Sequence, residues 1–189
     1  DCRARARLER PRVWEGEPGK FKRVSKFRKD FGVDPDGLTL VDHLAEKGVP
    51  IFAIGKAAEM LNDRGFDPEH VRKCDTDEER IMEVERRMLE EPSGGLVFAN
   101  LKNTDEKSGH TRQPALYVDH LEAASRGIAA VMHAMGHRDL LVVTSDHGND
   151  PTHPGHTNHT RELSPLIAWS PRITQPIELG VRSSHADIA

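Results

Sequence analysis

Four short apolar runs separated by segments of helical period constrain this chain more than any other feature. Residues 49–54, 96–101, 140–144 and 166–169 are each of strand length and lack sustained alternation of polar and apolar side chains. Such a pattern belongs to strands covered on both faces. Three helical segments alternate with them, one before each of the first three runs. Residues 39–47 place Leu40, Val41 and Leu44 inward and close at Gly48. Thr76-Asp77-Glu78-Glu79 has the form of a capping box, in which two side chains satisfy orphaned amides at a helix start. Ile81, Val84, Met88 and Leu89 follow at helical spacing until Pro92. After Pro114, residues Tyr117, Leu121, Ala124, Ile128, Val131 and Met135 form one face, with Gly136 as the stop. The alternation predicts an α/β fold, a mostly parallel sheet flanked by helices. In that architecture reactive side chains gather at the carboxyl ends of the strands.

The 189 residues suit one core domain with an appendage. Residues 1–36, broken by Pro11, Pro18, Gly19 and Pro35 and without helical period, read as the appendage, and 37–189 as the core. No apolar run approaches the roughly 20 residues of a spanning helix, so a soluble chain with no membrane partner is expected. The net charge of −4 hides a basic beginning: residues 1–30 hold eleven Lys/Arg against five Asp/Glu. Basic arms can bind nucleic acid. This one has no aromatic stacking pattern, and Glu9, Glu15 and Glu17 interrupt its arginines; a phosphate-bearing small ligand or a solvated edge fits as well, and nucleic acid is not expected. Cys2 and Cys74 are too few for a disulfide framework, which points to a reducing, cytoplasmic setting. The chain opens on Asp1-Cys2-Arg3 without Met and closes just after Ser184-His185-Ala186-Asp187-Ile188, so both ends read as cut and no targeting segment is legible.

Four of the eleven histidines, His147, His153, His156 and His159, fall within thirteen residues. Asp146 and His147 come directly off the strand at 140–144, and the loop beyond is held by Gly148, Pro151, Pro154 and Gly155. A second pair, Asp105 and His110, follows the strand at 96–101. These two converge only if the loop curls back, and Gly109 is expected to permit that. Carboxylate with imidazole is a donor set for divalent transition metals, whereas thiolate zinc has no cysteines to use. Taken singly, each histidine reads as a solvated loop residue; two strand ends that each deliver Asp and His argue for a metal site. His133 and His137 lack a carboxylate pattern and read as structural.

These residues resemble a known family. Asp146-His147-Gly148-Asn149-Asp150-Pro151, then Pro154-Gly155 and His159-Thr160-Arg161-Glu162, are similar to the closing metal motif of phosphopentomutases in the alkaline phosphatase superfamily. Asp105 with Gly109-His110 resembles that family's earlier Asp and Gly-His pair, and Gly55-Lys56 matches another of its features. Gly16-Glu17-Pro18-Gly19, Phe21 and Arg23 resemble the segment where a small cap domain returns to the core, which would make residues 1–36 the end of such a cap. The resemblance implies an alkaline phosphatase-like core and an enzyme moving phosphate between the 1 and 5 positions of ribose or deoxyribose. It implies two divalent cations, typically manganese, bridged by a phosphothreonine.

By the same resemblance one ion is held at Asp105, His110 and His159, and the other at Asp146, His147 and an aspartate from a first strand. Arg23 and Lys56 match positions that hold the sugar phosphate, and one of Arg5, Arg7, Arg10 or Arg12 matches another. The departures are specific. No Ser or Thr matches the nucleophile, His156 is an extra residue before His159, and Asn103 stands where an aspartate is common. A partial dinuclear site without turnover by this chain alone is therefore expected. Cofactor-independent phosphoglycerate mutase shares the Asp-His-Gly-Asn core and is the nearest alternative, and a non-catalytic metal-binding module is another.

Overall fold

The computed structural model describes residues 8–9, 14–24, 30–31, 34–90 and 94–188. Four two-residue strands come first: β1 (Leu8–Glu9), β2 (Trp14–Glu15), β3 (Lys22–Arg23) and β4 (Asp30–Phe31). They pair antiparallel in nested order, β2 with β3 and β1 with β4. The sequence gives this stretch no strand signal, because two-residue pairings carry no period. Arg5, Arg7, Arg10 and Arg12 lie outside the described residues.

The core begins at α1 (Leu40–Glu46), started by Thr39 and Asp42, whose side chains each meet the other's backbone amide. Only Val41 of this helix is fully buried; Leu40 faces outward. After Gly48, β5 (Ile51–Ile54) is buried at all four positions. It is the centre of a three-stranded parallel sheet, flanked by β6 (Val71–Arg72) and β7 (Leu96–Ala99). Val41, Ile51, Ala53, Ala57, Ala58 and Phe66 make the principal apolar cluster.

Helix α2 (Asp77–Glu90) starts on the expected box, with Glu79 N donating to Thr76 Oγ1 and Thr76 N to Glu79 Oε2. Its best-buried residues are Asp77, Arg80 and Arg87 rather than its apolar ones, and Leu89 is exposed. Arg87 lays its guanidinium 4.5 Å from the centroid of the Phe52 ring, so charge and apolar surface are satisfied together. A segment of π-helix (Thr104–Gly109) leads to α3 (Pro114–Ala134), which packs on α2 through Gly127 against Ile81. Leu121, expected inward, is exposed.

The fold class stands: a parallel sheet with flanking helices. The last two strands differ from the expectation. β8 (Leu141–Thr144) and β9 (Leu166–Trp169) pair antiparallel in a sheet of their own. β5 has a strand on each side and helices against it, whereas among the described residues β8 is paired to β9 alone, so its burial alternates where that of β5 does not. Among the described residues no helix is long and apolar enough to cross a membrane.

Candidate metal centre

Two loops at strand ends build the centre. The first follows β7, where Asp77 accepts the backbone amides of Lys102 and Asn103 at 2.9–3.2 Å while Arg80 Nη1 donates to its Oδ1 at 2.6 Å. A buried ion pair thus fixes the exit of the strand. The chain then winds as a π-helix, whose wider turn stacks residue i over i+5, and His110 N donates to Asp105 O at 2.9 Å. This geometry brings Asp105 and His110 together. Gly109 serves a different end from the one expected: its backbone is not left-handed, but a Cβ there would stand 2.8 Å from Asn149 Cγ and Thr104 O. It is small so that the second loop can approach. Fully buried Ser108 lies between, with Oγ 3.0 Å from His120 Nδ1 on α3.

The second loop leaves β8 and returns to β9, pinned by the Gly148–Thr160 bridge and by Asp150 N donating to Thr160 Oγ1 at 2.6 Å. A side chain on Gly148 would collide with Glu162, which explains the glycine. His159 reaches across to the first loop.

Asp105 stands at the meeting point. Its Oδ2 is 3.4 Å from His110 Nε2 and its Oδ1 is 3.4 Å from His159 Nε2. One donor atom from each of Asp105, His110 and His159 lies within 4.8 Å of the others, a spacing that a single cation can bridge. The donor set of one carboxylate and two imidazoles fits a divalent transition metal. His110 Nδ1 is 2.6 Å from Thr157 O, which leaves Nε2 facing the carboxylate. Burial, and then the neighbouring His147, push the His159 imidazole below its ordinary pKa against the pull of Asp105. The shift favours the neutral imidazole, the form that ligates. Tyr117, beneath the site, has its phenol pushed up by burial and by the charges of Asp105, Asp150 and Glu162. The local field is negative, as a cation requires.

The remaining candidates are disposed around this triad. His147 stacks on His159 with ring centroids 3.4 Å apart, and its Nε2 is 3.5 Å from Asp146 Oδ1. His153 and His156 pair with each other, ring centroids 4.4 Å apart. Lys56 Nζ is 3.2 Å from Glu106 Oε1, beside Asp105, and Lys102 approaches the same carboxylate at 3.3 Å. Burial raises the pKa of Glu106, but the two lysines outweigh it and hold the group below its usual range. Arg23 lies on β3, and its side chain is outside the described residues. His133 bonds its own helix at Ala129 O, in keeping with a structural role. Two residues without an expected role stand close in: Asn149, whose Nδ2 donates to Asp105 Oδ1 at 2.6 Å, and Arg112. Asn149 lies within the Asp-His-Gly-Asn motif. Arg112 had no signal beyond its position two residues after His110.

A parallel α/β sheet with carboxylate and imidazole converging at strand ends defines a metal-dependent enzyme fold, and the chain belongs to the metalloenzyme superfamily, whose family model matches residues 42–189. Curated relatives narrow the likeness. It is 35% identical to a phosphopentomutase of Thermotoga maritima over 177 residues, covering 94% of this chain and 44% of that protein. Phosphopentomutases of Alkaliphilus metalliredigens and Clostridioides difficile are 35% and 34% identical over 178 and 170 residues. The resemblance read from the motifs is thereby borne out, and the chain spans less than half the length of these relatives.

Proposed function

We propose that this chain is the metal-binding core of a phosphopentomutase, interconverting ribose or deoxyribose 1-phosphate and 5-phosphate with two divalent cations, manganese by preference, in the cytoplasm. The observation that carries the reading is the meeting of Asp105, His110 and His159 from two separate strand ends, residues that the family resemblance implies as ligands of one ion. Asp105, His110 and His159 would hold one ion; Asp146 and His147, the latter stacked on His159, would supply ligands for the other. Bound ions would neutralise the charge of a transferring phosphoryl group.

The chain's own residues do the rest. Lys56, exposed at its tip and shared with Glu106, is placed to exchange that carboxylate for a substrate phosphate. Arg23 is its counterpart from residues 1–36, read as the end of a cap domain, with 37–189 as the core. The phosphothreonine and first-strand aspartate implied by the family resemblance have no counterpart among these 189 residues, so turnover is expected only where those groups are supplied.

The test is a titration of the chain with Mn2+, followed by calorimetry and by the electron paramagnetic resonance of the ion. Binding that is abolished by Asp105→Asn and by His159→Ala is the expected result. Loss of neither would remove the centre. With the relatives' remaining length joined to it, the protein is expected to turn over ribose 1-phosphate; turnover of phosphoglycerate instead would assign the neighbouring class of mutase.

A further inference from the structure

Arg112 is spent in an unusual way. Its backbone is left-handed (φ 53°), a conformation that non-glycine residues adopt at a cost on the order of 1 kcal/mol. All five of its acceptors are neutral oxygens. Nε donates to His156 O at 2.9 Å, and Nη2 to His156 O at 2.7 Å and Asn158 O at 2.6 Å. Nη1 donates to Gly109 O at 2.9 Å, Asp150 O at 2.8 Å and Asn149 Oδ1 at 2.6 Å. Gly109 belongs to the first loop of the centre; the other four acceptors span residues 149–158 of the second. A strained backbone is thus kept in place by a planar fork that ties the two loops together.

The ties lead to the ligands. Asn149 is buried; its oxygen accepts from Arg112 and its nitrogen donates to Asp105 Oδ1. Fixing the amide oxygen on the guanidinium decides which end of Asn149 faces the carboxylate, and hence how Asp105 presents its oxygens. On the other arm, Asn158 O and His156 O are the carbonyls just before His159. One side chain therefore sets both the ligand from the first loop and the ligand from the second.

We propose that Arg112, acting through Asn149 and the 156–158 backbone, is the positioning residue that assembles the Asp105–His110–His159 site. The inference rests on the metal reading above and adds to it a residue that touches neither ion nor substrate. Lysine cannot replace it, because an ammonium has three donors on one nitrogen and cannot span five acceptors in a plane. Alternatives in which Arg112 only stabilises the fold predict a lower melting temperature and an unchanged ion site.

The experiment compares wild type, Arg112→Lys, Asn149→Ala, the double variant and Asp105→Asn in the 189-residue chain. Mn2+ affinity is read by calorimetry and site geometry by the visible absorption of bound Co2+. Arg112→Lys and Asn149→Ala are each expected to weaken Mn2+ binding by about tenfold to a hundredfold and to alter the Co2+ spectrum. The double variant is expected to lose less than the product of the two single losses, since part of the effect of Arg112 runs through Asn149. If Arg112→Lys binds Mn2+ within about twofold of wild type with the same Co2+ spectrum, while Asp105→Asn abolishes binding, the metal site stands and the role of Arg112 is refuted. If wild type binds no more Mn2+ than Asp105→Asn, the metal reading itself falls and takes this inference with it. Should Arg112→Lys fail to fold, Asn149→Ala decides: unaltered affinity and spectrum would break the link between the guanidinium and Asp105.

Discussion

At the scale of single residues, the structure separates groups that hold the fold from groups that hold the centre. Asp42 illustrates the first. Its carboxylate takes Arg64 Nε at 2.9 Å and Nη2 at 2.6 Å and the Thr39 amide at 2.6 Å, which keep its pKa far below the usual carboxylate range. A carboxyl depressed in the folded state stabilises fully above its unfolded pKa and loses that contribution as acid reaches the folded value. Asp42→Asn is therefore expected to melt earlier than wild type at neutral pH, with the gap narrowing progressively below about pH 4. A gap that is constant from pH 7 to pH 3 would count against the account. The meeting of Asp105, His110 and His159 was legible in the sequence because Asp and His at strand ends are conspicuous. Arg112 and Asn149 were not, since their roles depend on a left-handed backbone and on an amide's orientation, which no residue pattern encodes.

At the scale of elements, helix starts and apolar runs were the readable features. Thr76 and Glu79 cap α2 as their spacing predicts, while in the equivalent pairing at α1 Thr39 meets Asp42, not the Glu or Gln that marks such a box in sequence. The inward faces were less legible. Leu89 and Leu121 are exposed, while Arg80 and Arg87 of α2 are buried. Gly127 packs against Ile81 of α2, and a Cβ there would lie 2.9 Å from Ile81 Cγ2. Gly127→Ala should gain about 1 kcal/mol of helix propensity and lose roughly 1–3 kcal/mol to overpacking, for a net destabilisation. Pairing it with Ile81→Val, which removes the terminal methyl, is expected to cost less than the two changes summed. Strict additivity in chemical denaturation would show that the helices do not meet there. The π-helix had no sequence signature either: Asp105 and His110 at a separation of five suggested a curling loop, and the wider turn is the physical form that curling takes.

At the scale of the whole molecule, cover is uneven. β5 is sealed, with Ala53 and Ile54 at zero exposure, whereas the β8–β9 ribbon leaves Val142 open on one face and Ile167, 58% exposed, on the other. Those strands have a composition suited to burial on both sides, and the sequence could not tell which parts of the chain provide it. Hydrogen exchange should follow the same division, slow at residues 51–54 and fast at 141–144 and 166–169. Mn2+ is expected to slow exchange at 104–110 and 141–160 while leaving 40–46 unaffected, because a ligand that bridges two regions stabilises both. Equal protection everywhere, with or without the ion, would oppose this picture.

The face-to-face contact of His147 with His159 carries a mechanical consequence. Neither ring can swing without displacing its companion, so whatever occupies one side of the pair restricts the freedom of the other, and the start and the end of the connection from β8 to β9 are clasped to one another.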